Sequence, residues 1–312
     1  RGDDDKAIPL LEKAVVLDPE FIVAFEALGS AHYNLSEVAL NDSYIAKALE
    51  LIKRHPERIS DRDRYLIEGR HYYWDLSDRF WPKAVENLTK ALDIDPEDTQ
   101  ANYDLGSLYN SLEQWDRALA HFNICSKNKY EFFTVYERMA RAFRAKGMPD
   151  RARETFEYYL GNISDTVMGR CFLAYHYTTQ GKLDLARQET EKAVILDPTA
   201  WPHHYAGGVI ALLAGDLALA EREFTRLLEE KAILALFAGY GGLSNMSLET
   251  GKLGKFSGLF IPFIERMREA GEKDNECSAR CDLADFYLKA GDPGRALDQC
   301  QKASAVAVEM DY

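Results

Sequence analysis

Positive charge is in short supply. Against 51 Asp and Glu there are 38 Lys and Arg in 312 residues, a formal charge of −13. A nucleic-acid partner is therefore not expected, because a phosphate backbone needs a concentrated basic surface. Long apolar runs are missing as well. The longest, Ala232 to Leu243, carries three glycines and a tyrosine, and it falls short of the roughly 18 residues of a membrane helix. No membrane partner is expected. The five cysteines, Cys125, Cys171, Cys277, Cys281 and Cys300, are sparse and odd in number. That argues against a disulfide framework and for a reducing, cytoplasmic setting. The opening residues, Arg1 to Lys6, have no apolar core of the kind that marks a secretory signal.

Signatures of chemistry are equally scarce. Neither Gly-x-Ser-x-Gly nor His-Glu-x-x-His occurs. Gly254-Lys255 is followed by Phe256 rather than Ser or Thr, so the glycine-rich stretch is not a phosphate loop. Cys277-x3-Cys281 is a same-face pair without a second pair, Cys300 being assigned to the core, and zinc needs three or four converging ligands. No catalytic residue, metal or cofactor is expected.

What is present is a period. Ala84, Ala118, Ala152, Ala186 and Ala220 recur every 34 residues, and Gly147, Gly181 and Gly215 keep the same interval. Four residues after the alanines stand Leu88, Phe122, Phe156, Thr190 and Phe224; three further on stand Ala91, Cys125, Tyr159, Ala193 and Leu227. This is the stripe of a helix with one buried face. A second stripe precedes each glycine: Leu105, Gly106, Tyr109; Tyr136, Met139, Ala140, Phe143; Leu173, Ala174, Tyr177. Each unit is then two helices joined at a glycine, and several end at Asp-Pro, as at Asp18-Pro19, Asp95-Pro96 and Asp197-Pro198, where proline forbids continuation.

These residues resemble the tetratricopeptide repeat, with its small first-helix positions, turn glycine, Ala-x3-Phe-x2-Ala second helix and terminal proline. The resemblance covers nearly the whole chain and implies an all-α, right-handed superhelical solenoid of antiparallel helix pairs. It divides residues 1–312, a single solenoid domain, into about eight and a half repeats: a half repeat at 1–21, two irregular repeats at 22–98, four regular ones at 99–235, a degenerate one at 236–276 and a final one at 277–312. Ala7 to Ala84 spans 77 residues, about nine more than two periods, so insertions are expected around Ser36 to Ser43 and Leu76 to Phe80. In the degenerate repeat Gly254 takes the place of the alanine, and Pro262 is expected to kink the second helix or confine it to an edge. Solenoids need polar end caps, and neither end supplies one, so a fragment of a longer chain is expected.

The resemblance implies a ligand on the concave face, lined by the first helix of each pair. The groove-facing places hold Tyr103, Ser107 and Asn110, then Glu137, Arg141 and Arg144, then Cys171 and Tyr175, then Tyr205 and Val209, with Arg138 and Phe172 beside them. The peptide-binding candidates are Tyr103, Asn110, Arg138, Arg141, Arg144, Phe172, Tyr175 and Tyr205. Arg138, Arg141 and Arg144 recur every third residue in an otherwise acidic protein, and guanidinium forks beside rings suit acidic or carboxylate groups. Members of the family that bind a C-terminal carboxylate do so with Lys and Asn. Here Glu26, Ser30, Tyr103, Ser107, Glu137 and Arg141 occupy those places, so chaperone-tail binding is not expected. The expected function is a non-catalytic scaffold for a protein or peptide. Two alternatives stand beside it. Arg62 to Trp74 resembles a segment of the repeat regions of bacterial signalling proteins, which implies a regulatory or sensor arm of a kinase or adenylate cyclase. Val306 and Met310 on the last helix would serve a homodimer through the C-terminal repeats.

Overall fold

Cβ-sized spacing at one recurring position brings the helices together. Ala84, Ala118, Ala152, Ala186 and Ala220 are all 0% exposed, because a methyl side chain lets a second helix lie close against its first. The computed structural model describes residues 4–34, 38–74 and 81–309, and among them there is no strand. The chain divides into two compact units, Arg1–Ser164 and Asp165–Tyr312.

The first unit holds α1 (Asp4–Leu17), α2 (Ile22–Asn34), α3 (Val38–Arg54), α4 (Asp61–Trp74), α5 (Trp81–Ile94), α6 (Thr99–Ser111), α7 (Trp115–Lys127), α8 (Phe133–Ala145) and α9 (Pro149–Asn162). The second holds α10 (Val167–Thr179), α11 (Leu183–Leu196), α12 (Pro202–Leu213), α13 (Leu217–Arg226), α14 (Ile233–Thr250), α15 (Leu253–Glu269), α16 (Lys273–Lys289) and α17 (Pro293–Glu309). From α2 onward each odd-numbered helix packs on the even-numbered one before it, and α1 packs on α2. First helices also touch first helices: α4 with α6, and α6 with α8, in one unit; α10 with α12, α12 with α14, and α14 with α16, in the other. The fold is the expected all-α solenoid of antiparallel pairs, and within each unit the first helices share one wall.

The glycines at the turns act through their backbone. Gly147, Gly181 and Gly215 take φ of 71°, 70° and 82°, a region that L side chains resist. One period before Gly147, Glu113 adopts φ 56° without being glycine. Asp98, Thr166 and Asp216 cap helix starts by accepting from the amides of Ala101, Gly169 and Leu219, which satisfies an orphan donor at each.

α15 continues through Pro262 to Glu269, and the proline lies on the exposed face, where water can satisfy the carbonyl one turn back that its missing N–H leaves without a donor. Two readings are corrected. Gly254 is exposed with nothing within 4 Å of an added Cβ. The buried face of α15 is instead Phe256, Phe260, Phe263, Ile264 and Met267, so large side chains replace the alanine contact there. Cys300 is exposed rather than in the core, the buried places of α17 being Ala296, Gln299 and Ala303. Of the expected insertions, residues 38–43 form the opening turns of α3, while 36–37 and 76–80 lie outside the described residues, as does Met310.

Candidate functional site

In the first unit the wall of first helices is polar and cross-linked by charge. Arg70 of α4 pairs with Glu26 of α2, and its Nε lies 3.2 Å from Oδ2 of Asp104 on α6. Asp104 also accepts from Gln100 Nε2 at 3.0 Å, and Gln100 Oε1 accepts from the Tyr130 hydroxyl at 3.0 Å. The three charged side chains are 14%, 13% and 2% exposed in the order Glu26, Arg70, Asp104. At that burial, attraction is barely screened, and a missing partner would leave a desolvated charge.

Arg138 on α8 continues this wall. Its guanidinium lies 5.6 Å from the Tyr103 ring centroid, and Nη1 donates to the Tyr73 hydroxyl at 3.3 Å. Tyr103 is braced edge-on by Phe132 at 4.9 Å. The structure therefore brings Tyr103 and Arg138 together as a cation–π pair.

The three arginines do not form one row. A helix turns 100° per residue, so a step of three slips by about 60° each time. Arg138 turns toward Tyr73 and Tyr103, Arg141 is exposed, and Arg144 is half-buried. Glu137 lies within electrostatic reach of all three. Burial pushes its carboxyl above the ordinary carboxylate range, against the pull of Arg138, Arg144 and Arg141. An acid of the chain itself thus stands where an external carboxylate was expected.

Asn110 differs from its sequence reading. It is 3% exposed, and Ser107, one turn earlier, is 0% exposed. The wall contacts of α6 with both α4 and α8 place these short side chains beneath the surface, out of reach of a ligand lying on it.

In the second unit the wall between α10 and α12 is apolar. Phe172 and Tyr175 of α10 and Tyr205 of α12 line a groove of about 250 Å³ together with Trp201, Met168 and Val209. None of its lining residues is charged. Tyr175 is 41% exposed, whereas burial, then the neighbouring Tyr175, pushes the Tyr205 phenol upward, so Tyr205 stays a protonated donor. Cys171 also lines the groove, and burial raises its thiol to about 12, which keeps it a protonated wall element.

Sequence reasoning missed Arg70, Asp104, Tyr73, Trp201 and Met168. For the polar wall a signal existed, because Asp104 and Arg138 stand one period apart with opposite charge. Trp201 and Met168 fall at the starts of their helices, outside the places compared along the period. Among the described residues no cluster of His, Cys, Asp and Glu could hold a metal ion, and no helix is long and apolar enough to cross a membrane.

Comparison with known proteins agrees with the architecture. Among solved structures, a monomeric mutant of IFIT1 with Gppp-AAAA is similar over 98% of this chain and 75% of its own, at 16% identity and a TM-score of 0.53. The human IFIT1 dimer with m7Gppp-AAAA is similar over 98% of this chain and 87% of its own, at 16% identity and a TM-score of 0.51. A tetratricopeptide repeat protein from Parabacteroides merdae covers 78% of this chain and 93% of its own, at 16% identity and a TM-score of 0.49. At 16% identity the likeness to the two IFIT1 structures is one of fold. No curated protein matches the sequence. Residues 71–124 and 137–204 match the tetratricopeptide-repeat family, so the chain carries tetratricopeptide repeats there, with helix pairs of the same kind before and after them.

Proposed function

We propose that this chain is a non-catalytic scaffold that binds a protein or peptide on the wall formed by its first helices. In the second unit the contact is an apolar side chain of the ligand seated between α10 and α12. The observation that carries this reading is the groove itself: Phe172, Tyr175, Trp201 and Tyr205 face one hollow with no charged residue in its lining. Burying a Leu, Phe or Met side chain there is worth about 1.5–3 kcal/mol, and rings of Trp and Tyr around a desolvated centre are the common anchors of protein interfaces.

The same chemistry supports a protein ligand over RNA, although the IFIT1 structures contain Gppp-AAAA and m7Gppp-AAAA. In the first unit Arg70 is committed to Glu26 and Asp104, and Glu137 offsets one of the three charges of Arg138, Arg141 and Arg144, which point in different directions instead of forming one basic row. Counterion release from a phosphate chain needs basic groups that are not already neutralised, and the net charge of −13 adds repulsion.

The test uses a displayed library of short random peptides. Selected clones are expected to carry Leu, Phe or Trp, and their binding should shift the fluorescence of Trp201. Tyr205→Ala should weaken them at least tenfold, about 1.4 kcal/mol, while the helical circular dichroism stays unchanged. Equal affinity for Tyr205→Ala and the parent protein would remove the groove from the binding surface.

A further inference from the structure

Three of the five cysteines gather in one helix pair, and none of them lines the groove just described. Cys277 and Cys281 lie on α16 and Cys300 on α17; Cys277 is half-buried, while Cys281 and Cys300 are exposed. Their register is fixed by contacts between the two helices. Arg280 Nη1 donates to Gln299 Oε1 at 3.3 Å, and one turn away Cys277 Sγ donates to the Ala303 carbonyl at 3.7 Å. Cys281 and Cys300 are the residues directly following the two ends of the Arg280–Gln299 contact, so they flank it across the pair. Cys281 also shares a hydrogen bond with Cys277 and lies within electrostatic reach of Cys300.

We propose that Cys281 and Cys300 form a disulfide that joins α16 to α17 when a small-molecule disulfide such as oxidised glutathione is available. A disulfide needs two Cα atoms no more than about 7 Å apart with converging Cβ atoms; the Cys277 side chain reaches the backbone of α17 at Ala303, and Cys281 and Cys300 each stand about one turn along from that close approach, Cys281 after Cys277 and Cys300 before Ala303. The alternative on one helix is less favourable. Cys277 and Cys281 are one turn apart, and a bridge between them would pull both side chains off the rotamers a helix allows. Cys277 is moreover turned toward the Ala303 carbonyl.

The chemistry balances without a metal or a further reductant. The Cys300 thiolate attacks one sulfur of oxidised glutathione, forming a mixed disulfide and expelling one glutathione thiolate. The Cys281 thiolate then attacks the Cys300 sulfur of that mixed disulfide and expels the second. Two protein thiols are oxidised, the two protons they lose go to solvent or the departing thiolates, and one oxidised glutathione becomes two reduced ones. The bridge closes a short loop over the turn between α16 and α17, so it restricts the opening of this pair and leaves the other helices untouched.

Trypsin separates the three cysteines, because Lys273, Arg280, Lys289, Arg295 and Lys302 place them in peptides 274–280, 281–289 and 296–302. The protein is incubated with oxidised and reduced glutathione at graded ratios and then blocked with an alkylating agent. The expected product is lighter by two hydrogen atoms, with peptide 281–289 linked to 296–302, and amide exchange in α17 slows at least severalfold. Cys300→Ser should abolish the link, and Cys277→Ser should preserve it. A link through peptide 274–280, or glutathione adducts that never resolve into a bridge, would overturn the proposal.

Discussion

Two adjacent glycines of α14 sit in opposite environments, and a methyl group added to each should move stability in opposite directions. A Cβ at Gly242 would clash with Cγ, Cδ1 and Cε1 of the Phe224 ring, while one at Gly241 meets nothing within 4 Å. Helix propensity favours Ala over Gly by about 1 kcal/mol at either place. Phe224 cannot retreat, since it is 0% exposed and its ring also presses on Gly208, where a Cβ would lie 2.5 Å from Cε1. Overpacking a filled site costs about 1–3 kcal/mol. Gly241→Ala is therefore expected to gain about 1 kcal/mol, and Gly242→Ala to lose up to about 2 kcal/mol once the propensity gain is subtracted. Urea unfolding followed by circular dichroism measures both. Hydrogen exchange in α12 to α14 locates the effect, because repeat arrays need not unfold in one step. Adding Phe224→Leu to Gly242→Ala should return part of the loss, with a coupling of about 0.5–3 kcal/mol. If Gly242→Ala is as stable as Gly241→Ala, with unchanged exchange in α12, the ring between the two first helices is not what requires glycine.

Two further perturbations address the polar wall of the first unit. Arg70→Met leaves Glu26 and Asp104 buried without their cation and should cost about 3–5 kcal/mol; changing Glu26→Leu and Asp104→Leu as well should recover most of it. A loss below about 1 kcal/mol for Arg70→Met in urea unfolding would mean the network is solvated, as surface pairs are. Glu137 gives a pH signature. Its folded pKa is raised above the ordinary 4.5 by burial, so the native state holds its proton longer than the unfolded state does. Its contribution is therefore complete below the unfolded value and is lost as pH rises through the folded one. Glu137→Gln should match the parent in acid and surpass it increasingly as pH climbs through the carboxylate range. A constant difference between the two proteins in unfolding curves across that range would contradict the burial argument.

The polar wall shows how far a sequence reading reaches. Tyr103 and Arg138 were legible as wall residues because a repeat fixes which places of the first helix face inward. Their pairing was not, because it depends on how far α6 stands from α8. Asn110 was read as open and is covered, since exposure is set by the neighbouring helices rather than by its own. The aromatic groove was legible in five residues, Cys171, Phe172, Tyr175, Tyr205 and Val209, while Trp201 and Met168 entered only through packing.

By itself the sequence determined the period of 34, the antiparallel pairs and the buried alanines. All three follow from local geometry: a helix repeats every 3.6 residues, glycine tolerates positive φ, and proline ends what it cannot continue. Only the tertiary structure decided that Arg70 serves two acids on two other helices, that Arg138 packs on the Tyr103 ring, and that Cys281 and Cys300 flank one contact. These relations join side chains on separate helices, and the distance between helices is set by the summed packing of every side chain between them, a quantity no single helix encodes.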